Sequence, residues 1–391
     1  MDSQRRTWRS DLLTGFLVYC ITTLPVGIGL VAAGTPNLLE SCCHYDGEHF
    51  IHLVDREYWY EPERASGVAF FPGYPLLARG VVAVTGFSSR IALLLVSNLA
   101  LIAALTFLSA YLRPQPKARL TTLLLVGLWP VGLCFRMAYS ESLFLAAIAL
   151  LMLGLSRRWP IVLLALIAGA GTGIRAVGLA ASATVLVSVL MDQSRGPLRQ
   201  RLLTAVAIAP VACWGLLAFM LFQFAEFETP LAFLQTQRHW SAYVPEHPEP
   251  IYKVGRLAIA EPIWGSYVPG STRHWTRFNE NPNPLLGTAF WNPILFVFAG
   301  LLVAYGWHRR WLSREESILG FGLLVIPYVT RSDEQSMISH ARFAAVVLPA
   351  YIVLGQLLSR TPLFVRCIAF AGLATLLALW TALFAAGGPL L

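Results

Sequence analysis

One short stretch concentrates the ionisable side chains of this chain. His44-Tyr45-Asp46-Gly47-Glu48-His49-Phe50-Ile51-His52 carries one aspartate, one glutamate and three histidines in nine residues. Three readings fit that composition. Asp46, His49 and His52 share one helical face at a spacing of three, and imidazole with carboxylate suits zinc; no HExxH or similar set completes such a site. Asp46 alone, held just beyond the end of a membrane span, suits a general base. An interfacial amphipathic helix, with aromatics at headgroup depth and charges in water, needs no chemistry at all.

Other candidates lie further along. Tyr139, Ser140 and Glu141 open an apolar run. An ionisable group at that depth is a functional candidate, although an acid in a first helical turn also stabilises the helix, and Tyr139-Ser140 suits an N-cap. Arg136, Arg175 and Arg342 stand at ends of apolar runs, where a guanidinium either holds an anion or snorkels to the interface. Gln237, Arg238, His239 and Trp240 offer hydrogen bonds and a stacking surface suited to a sugar, or the polar face of an ordinary loop helix. His340 precedes Arg342 by two residues.

The elements that must position these groups are membrane helices. The chain has 391 residues, 56% hydrophobic and 13% charged, against about 25% charged in a soluble domain. Its mean hydropathy is +0.61. Apolar runs fall near 12–33, 90–112, 120–135, 142–155, 160–173, 176–191, 202–224, 285–306, 318–328, 343–358 and 363–386. That predicts an all-α polytopic membrane protein of about 11 transmembrane helices in a single domain over residues 1–391, some spans being short enough to be broken or re-entrant. The first run follows Arg5, Arg6 and Arg9 but is too long for a signal peptide, and reads as a retained span.

Placing the N-terminus in the cytoplasm makes every inner loop basic. Sixteen of the 29 basic residues then lie inside with five acids, a net of +11. The positive-inside rule favours that orientation. It puts the two long loops, about 34–89 and 225–284, on the extracytoplasmic side, together with all histidines but His308. The loops read as caps with short interfacial helices, the second carrying Trp264 and Trp275. The high net charge reflects topology, and no nucleic-acid partner is needed to explain it. Six cysteines make no disulfide framework. No glycine-rich phosphate loop or Walker lysine appears, which argues against an ATP-driven transporter and against a cytoplasmic nucleotide-sugar donor.

The residues also carry a resemblance. Asp46-Gly47 after an aromatic, Phe50-Ile51, Glu61-Pro62 and Ala69-Phe-Phe-Pro-Gly-Tyr-Pro75 resemble the first luminal loop of the PIG-V family, the GPI mannosyltransferase II enzymes and their bacterial relatives among the GT-C glycosyltransferases. Tyr139-Ser140-Glu141-Ser142-Leu143-Phe144 is similar to that family's signature, Arg175-Ala-Val-Gly178 to its arginine turn, and Gln237 to Trp240 and Ala341-Arg342-Phe343 to residues found there. The resemblance implies a GT-C fold and an inverting transfer of mannose from a polyprenyl-phosphate-mannose donor to a hydroxyl of a glycolipid, glycan or protein acceptor, on the extracytoplasmic face. It implies Asp46 as general base and Arg175, Arg342 and Arg136 on the donor phosphate. Glu48, His49, Tyr74, Tyr139, Ser140, Glu141, Gln237, Arg238, His239, Trp240 and His340 would contact substrate, and neither a cofactor nor a metal is expected. Two other classes stay open: a lipid or solute transporter or flippase, which predicts internal repeats and mid-membrane charges, and a metal-dependent membrane hydrolase built on His44 to His52.

Overall fold

A computed structural model of the chain describes residues 2–241, 247, 249–278, 283–335 and 337–388. Every regular element among them is helical. In chain order these are α1 (Asp2–Ala32), α2 (Leu38–Ser41), α3 (Asp46–Asp55), α4 (Gly73–Thr85), α5 (Ser89–Tyr111), α6 (Pro116–Leu128), α7 (Glu141–Ser156), α8 (Ile161–Ile174), α9 (Leu179–Met191) and α10 (Leu198–Ala212). They continue with α11 (Trp214–Phe227), α12 (Ala232–Gln235), α13 (Pro250–Ala258), α14 (Glu261–Trp264), α15 (Thr288–His308), α16 (Arg314–Gln335), α17 (His340–Ala344), α18 (Leu348–Leu358) and α19 (Leu363–Ala385). Short 3-10 turns join several of them.

The boundaries follow local chemistry. Ser88 caps α5, its hydroxyl accepting the Ile91 N–H at 3.5 Å. Pro116 opens α6, where its missing N–H costs nothing. That helix stops at Trp129, held extended (ψ 130°) because Pro130 follows. Ser313 and Glu316 form a capping box on α16: the Ser313 Oγ accepts the Glu316 N–H at 3.1 Å, and Glu316 Oε2 accepts the Ser313 N–H at 2.6 Å.

Four described helices are long and apolar enough to cross a membrane: Thr7–Ala32, Ser89–Tyr111, Thr288–His308 and Leu363–Ala385. A fifth span results if α10 and α11, bent by 54° at Cys213, act as one. The remaining apolar runs take other forms. That near 120–135 divides into α6 and a buried 3-10 turn, Pro130–Phe135, and that near 343–358 into α17 and α18. Helices α7, α8 and α9 are apolar but short. Unsatisfied backbone at such breaks is tolerable only inside protein, and residues 130–142 are all buried.

The core forms where α1 packs on α5 and α19 and where α5 packs on α7. One end of this bundle gathers the short basic loops. There Asp11, buried in α1, binds Arg113 and Arg119, the latter at 2.8 Å. Arg113 and Arg157 lie over the Trp8 ring, and Gln356 reaches Gln115 at 2.9 Å. The opposite end carries α3, the α6–α7 and α8–α9 connections, α12, α13 and α17.

Candidate functional site

At that opposite end the backbone delivers four charged side chains to one place. Asp46 is the first residue of α3, and Glu141 the first of α7. Arg175 follows the last residue of α8 in an extended conformation (φ −153°, ψ 143°), and the chain then turns through Ala176–Gly178 into α9. This turn requires glycine: a methyl group on Gly178 would lie 2.5 Å from the Gly171 carbonyl. Arg342 comes from α17.

The four alternate in sign. Arg342 Nη1 donates to Asp46 Oδ2 at 2.5 Å, and its Nε lies 3.3 Å from Glu141 Oε1. Arg175 Nη1 donates to the same Glu141 oxygen, and to Ser140 Oγ at 3.3 Å. The Arg342 guanidinium also covers the Tyr139 ring, 5.3 Å from its centroid, while Arg175 lies 5.7 Å from that of Phe343. Burial works against the charge on Arg342, but Asp46 and Glu141 outweigh it and hold the group above the ordinary guanidinium value. Glu141 is buried, Arg342 nearly so, and the Asp46 side chain is 32% exposed. Among the described residues, Asp46 Oδ1 accepts no hydrogen bond and Glu141 Oε2 has no partner.

Asp46, Ser140, Arg175 and Arg342 line a cavity of about 1300 Å³. Phe50, Phe70, Phe71, Phe233 and Trp240 form an aromatic wall. The lining also includes Leu179 of α9, Val254 of α13 and Val329 of α16, with Lys253 and Arg331 beside the last two. Those three side chains are exposed.

The remaining candidates divide. Gln237, Arg238 and Trp240 line the cavity. The Trp240 indole N–H is buried with no partner among the described residues. Gln237 accepts from Arg331, and both Arg238 and His239 donate to the Pro62 carbonyl, joining the two long loops. His49 supports the wall from behind, stacked on Phe70 and edge-on to Trp240, and burial pushes it below the usual imidazole value against the pull of Asp46 and Glu48. His340 is buried behind Arg342, its Nδ1 donating to the Ile338 carbonyl at 3.2 Å and its Nε2 accepting from Ser332 at 2.9 Å.

Four placements correct the sequence reading. Arg136 does not join the other cations: its guanidinium turns inward to Thr22 (2.6 Å), Thr23 (2.9 Å) and the Gly127 carbonyl (3.2 Å), tying the 3-10 segment to α1. Tyr74 is a core residue, its hydroxyl on the Leu93 carbonyl (2.9 Å) and Ser97 (2.7 Å). Glu48 is exposed and faces His44 at 3.7 Å, not the cavity. Ser140 stands at the N-cap position of α7, yet its side chain makes no capping bond; it binds Arg175 instead.

The histidines of the first loop diverge. His44 reaches the Ala385 carbonyl at 3.3 Å, while His52 tilts against Trp59. Among the described residues no group of three or more His, Cys, Asp or Glu is arranged to hold a metal ion. Sequence reasoning missed Lys253, Tyr60 and Arg331 in the cavity lining. Arg331 had a signal, a cation just past an apolar run; Tyr60 and Lys253 had none.

The chain matches no known family model and no curated protein. Its chemistry is therefore read from the site itself. A carboxylate with one oxygen unbonded among the described residues stands beside two guanidiniums, in a cavity that also has aromatic and aliphatic lining.

Proposed function

We propose that the protein is an inverting, lipid-linked mannosyltransferase of the PIG-V kind, working on the extracytoplasmic face of a membrane. The observation that carries this reading is the cavity lining: Asp46, Arg175 and Arg342 together, with an aromatic wall and exposed aliphatic side chains in the same space. A polyprenyl-phosphate sugar calls for the same kinds of group. Its phosphate needs cations, its sugar an aromatic and hydrogen-bonding wall, and its tail a path into lipid.

In the proposed reaction an acceptor hydroxyl attacks the anomeric carbon from the face opposite the phosphate. The new C–O bond forms as the sugar–phosphate bond breaks, and its electron pair leaves on the phosphate. Asp46 Oδ1 takes the hydroxyl proton. Arg175 and Arg342 stabilise the charge growing on the leaving phosphate, the usual task of fixed cations at a developing oxyanion. Glu141, held between the two guanidiniums, sets their spacing. In this reading the N-terminus is cytoplasmic, α6, α7, α8, α9, α16 and α18 complete about eleven membrane passages together with α1, α5, the bent α10–α11 pair, α15 and α19, and the basic end faces the cytoplasm. Donor and acceptor are substrates, and no cofactor takes part.

The test is transfer in vitro from defined polyprenyl-phosphate sugars with separation of lipid and glycan products. Asp46→Asn keeps the shape of the side chain and a partner for Arg342 but removes the base. Turnover should fall by roughly 10²-fold or more with the protein still folded. A variant with near-normal turnover would overturn the assignment of Asp46.

A further inference from the structure

A second cavity lies at the basic end, about 590 Å³ in volume, between the ends of α5, α7, α9 and α16 and the start of α8. Two observations give it a ligand.

The first is a repeated hexapeptide. Gly154-Leu-Ser-Arg-Arg-Trp159 closes α7, and Gly306-Trp-His-Arg-Arg-Trp311 closes α15. In both, the second arginine is left-handed (Arg158 φ 53°, Arg310 φ 55°). In both, the tryptophan N–H returns to the glycine carbonyl, at 2.9 Å for Trp159 and 2.8 Å for Trp311. That position normally holds glycine, and a side chain there costs on the order of 1 kcal/mol. What the sequence gains is a guanidinium thrown past the helix end with an indole folded back beside it, the pairing found at the headgroup level of a bilayer. Next to this turn α8 presents Val162 and Leu163 outward.

The second is the charge inventory of the cavity. Asp192 pairs with Arg195 at 3.0 Å. Glu316 is occupied by the Ser313 N–H and the Tyr111 hydroxyl. Arg158, Arg314 and Glu315 line the cavity and make no ion pair or hydrogen bond through their side chains among the described residues. Two cations and one carboxylate, unpaired among the described residues, therefore face one space, whose accessible apolar wall is Leu155, Ile161 and Met191.

We propose that this cavity binds the headgroup of an aminophospholipid, a lipid with a phosphodiester and a primary ammonium. Arg158 and Arg314 take the phosphodiester, Glu315 takes the ammonium, and the apolar wall receives the first part of the acyl chains. A purely anionic lipid leaves Glu315 opposed to like charge. A choline headgroup has no N–H to give it. Free phosphate uses neither the carboxylate nor the wall. The site stands apart from the transferase cavity and does not depend on the function proposed for it.

The experiment uses the delipidated full-length protein in detergent, followed by native mass spectrometry and thermal melting. The probes are phosphatidylethanolamine, phosphatidylcholine, phosphatidylglycerol and inorganic phosphate. Phosphatidylethanolamine should bind about tenfold or more tighter than either other lipid, roughly 1.4 kcal/mol or more, and should raise the melting temperature, with inorganic phosphate doing neither. The double variant Arg158→Ala/Arg314→Ala should lose this binding, and Glu315→Gln should bring phosphatidylethanolamine and phosphatidylglycerol to parity. Equal retention of all three lipids by the unmodified protein overturns the proposal. So does stabilisation by phosphate alone, or an ethanolamine preference that survives the double substitution.

Discussion

Asp46 and Arg342 stand 296 residues apart and meet at 2.5 Å. Each was visible in the sequence as a polar group at the end of an apolar run, but nothing in the chain announces the pair. Hydropathy reports the depth of a side chain along a span, not the direction it faces around the helix. Arg136 shows the gap: its position is equivalent to that of Arg175, yet it turns into the protein and holds α1. His340 is similar, with a sequence that reads as a substrate contact and a structure that makes it a buried brace behind Arg342. Burial lowers its pKa to about 4. A histidine whose folded value lies below its unfolded one favours the folded state fully above pH 6.5 and loses that contribution as pH falls from 6.5 towards 4. The loss is about 3 kcal/mol, with His49 adding to it in the same direction. Thermal melting of His340→Gln across this window should show a shallower slope than the parent; an identical slope would remove His340 as its source.

Among the elements, α16 does the most to join the parts. Its start is set by the Ser313–Glu316 box, a signal plain in the sequence. Its far end anchors the second loop. Asp333 receives two bonds from Arg256 of α13, at 2.7 and 2.8 Å, and one from Arg273 at 2.7 Å, with Arg273 bound in turn to Glu261 at 2.7 Å. Arg273 is 1% exposed and Asp333 2%. None of this was legible, because the partners come from separate loops and ordinary charged residues carry no spacing signature. Removing one member of a buried ion network leaves the others uncompensated and costs about 3–5 kcal/mol. Asp333→Ala should therefore loosen residues 250–273 before the bundle melts, seen as faster amide hydrogen exchange confined to that stretch. Exchange unchanged there would show that the network does not hold the cap. The short runs were legible as candidate broken spans, but the long run 202–224 read as one continuous stretch, although Pro210 and Gly215 flank its break at Cys213.

For the whole molecule, charge asymmetry was the most readable property, and the structure brings the basic loops together at one end. Orientation in the membrane is the corresponding prediction. In intact cells a membrane-impermeant thiol reagent should label Glu48→Cys and should reach Arg195→Cys only after permeabilisation; the reverse pattern would invert the proposed topology. A last feature concerns the order of events during synthesis. Tyr45, just before Asp46, adopts φ 59° and ψ −117°, a conformation that strains any residue with a side chain. Its ring rests on Phe384 and its hydroxyl donates to the carbonyls of Gly387 and Gly388, while His44 is held by Ala385. The segment that sets Asp46 is translated early, yet its clasp belongs to the far end of α19, made more than 300 residues later. Ribosome-bound intermediates, even with every earlier helix inserted, would hold a cavity whose acid is not yet aimed. Under the proposed transferase reading, half-built copies would be unable to act on lipid-linked sugars.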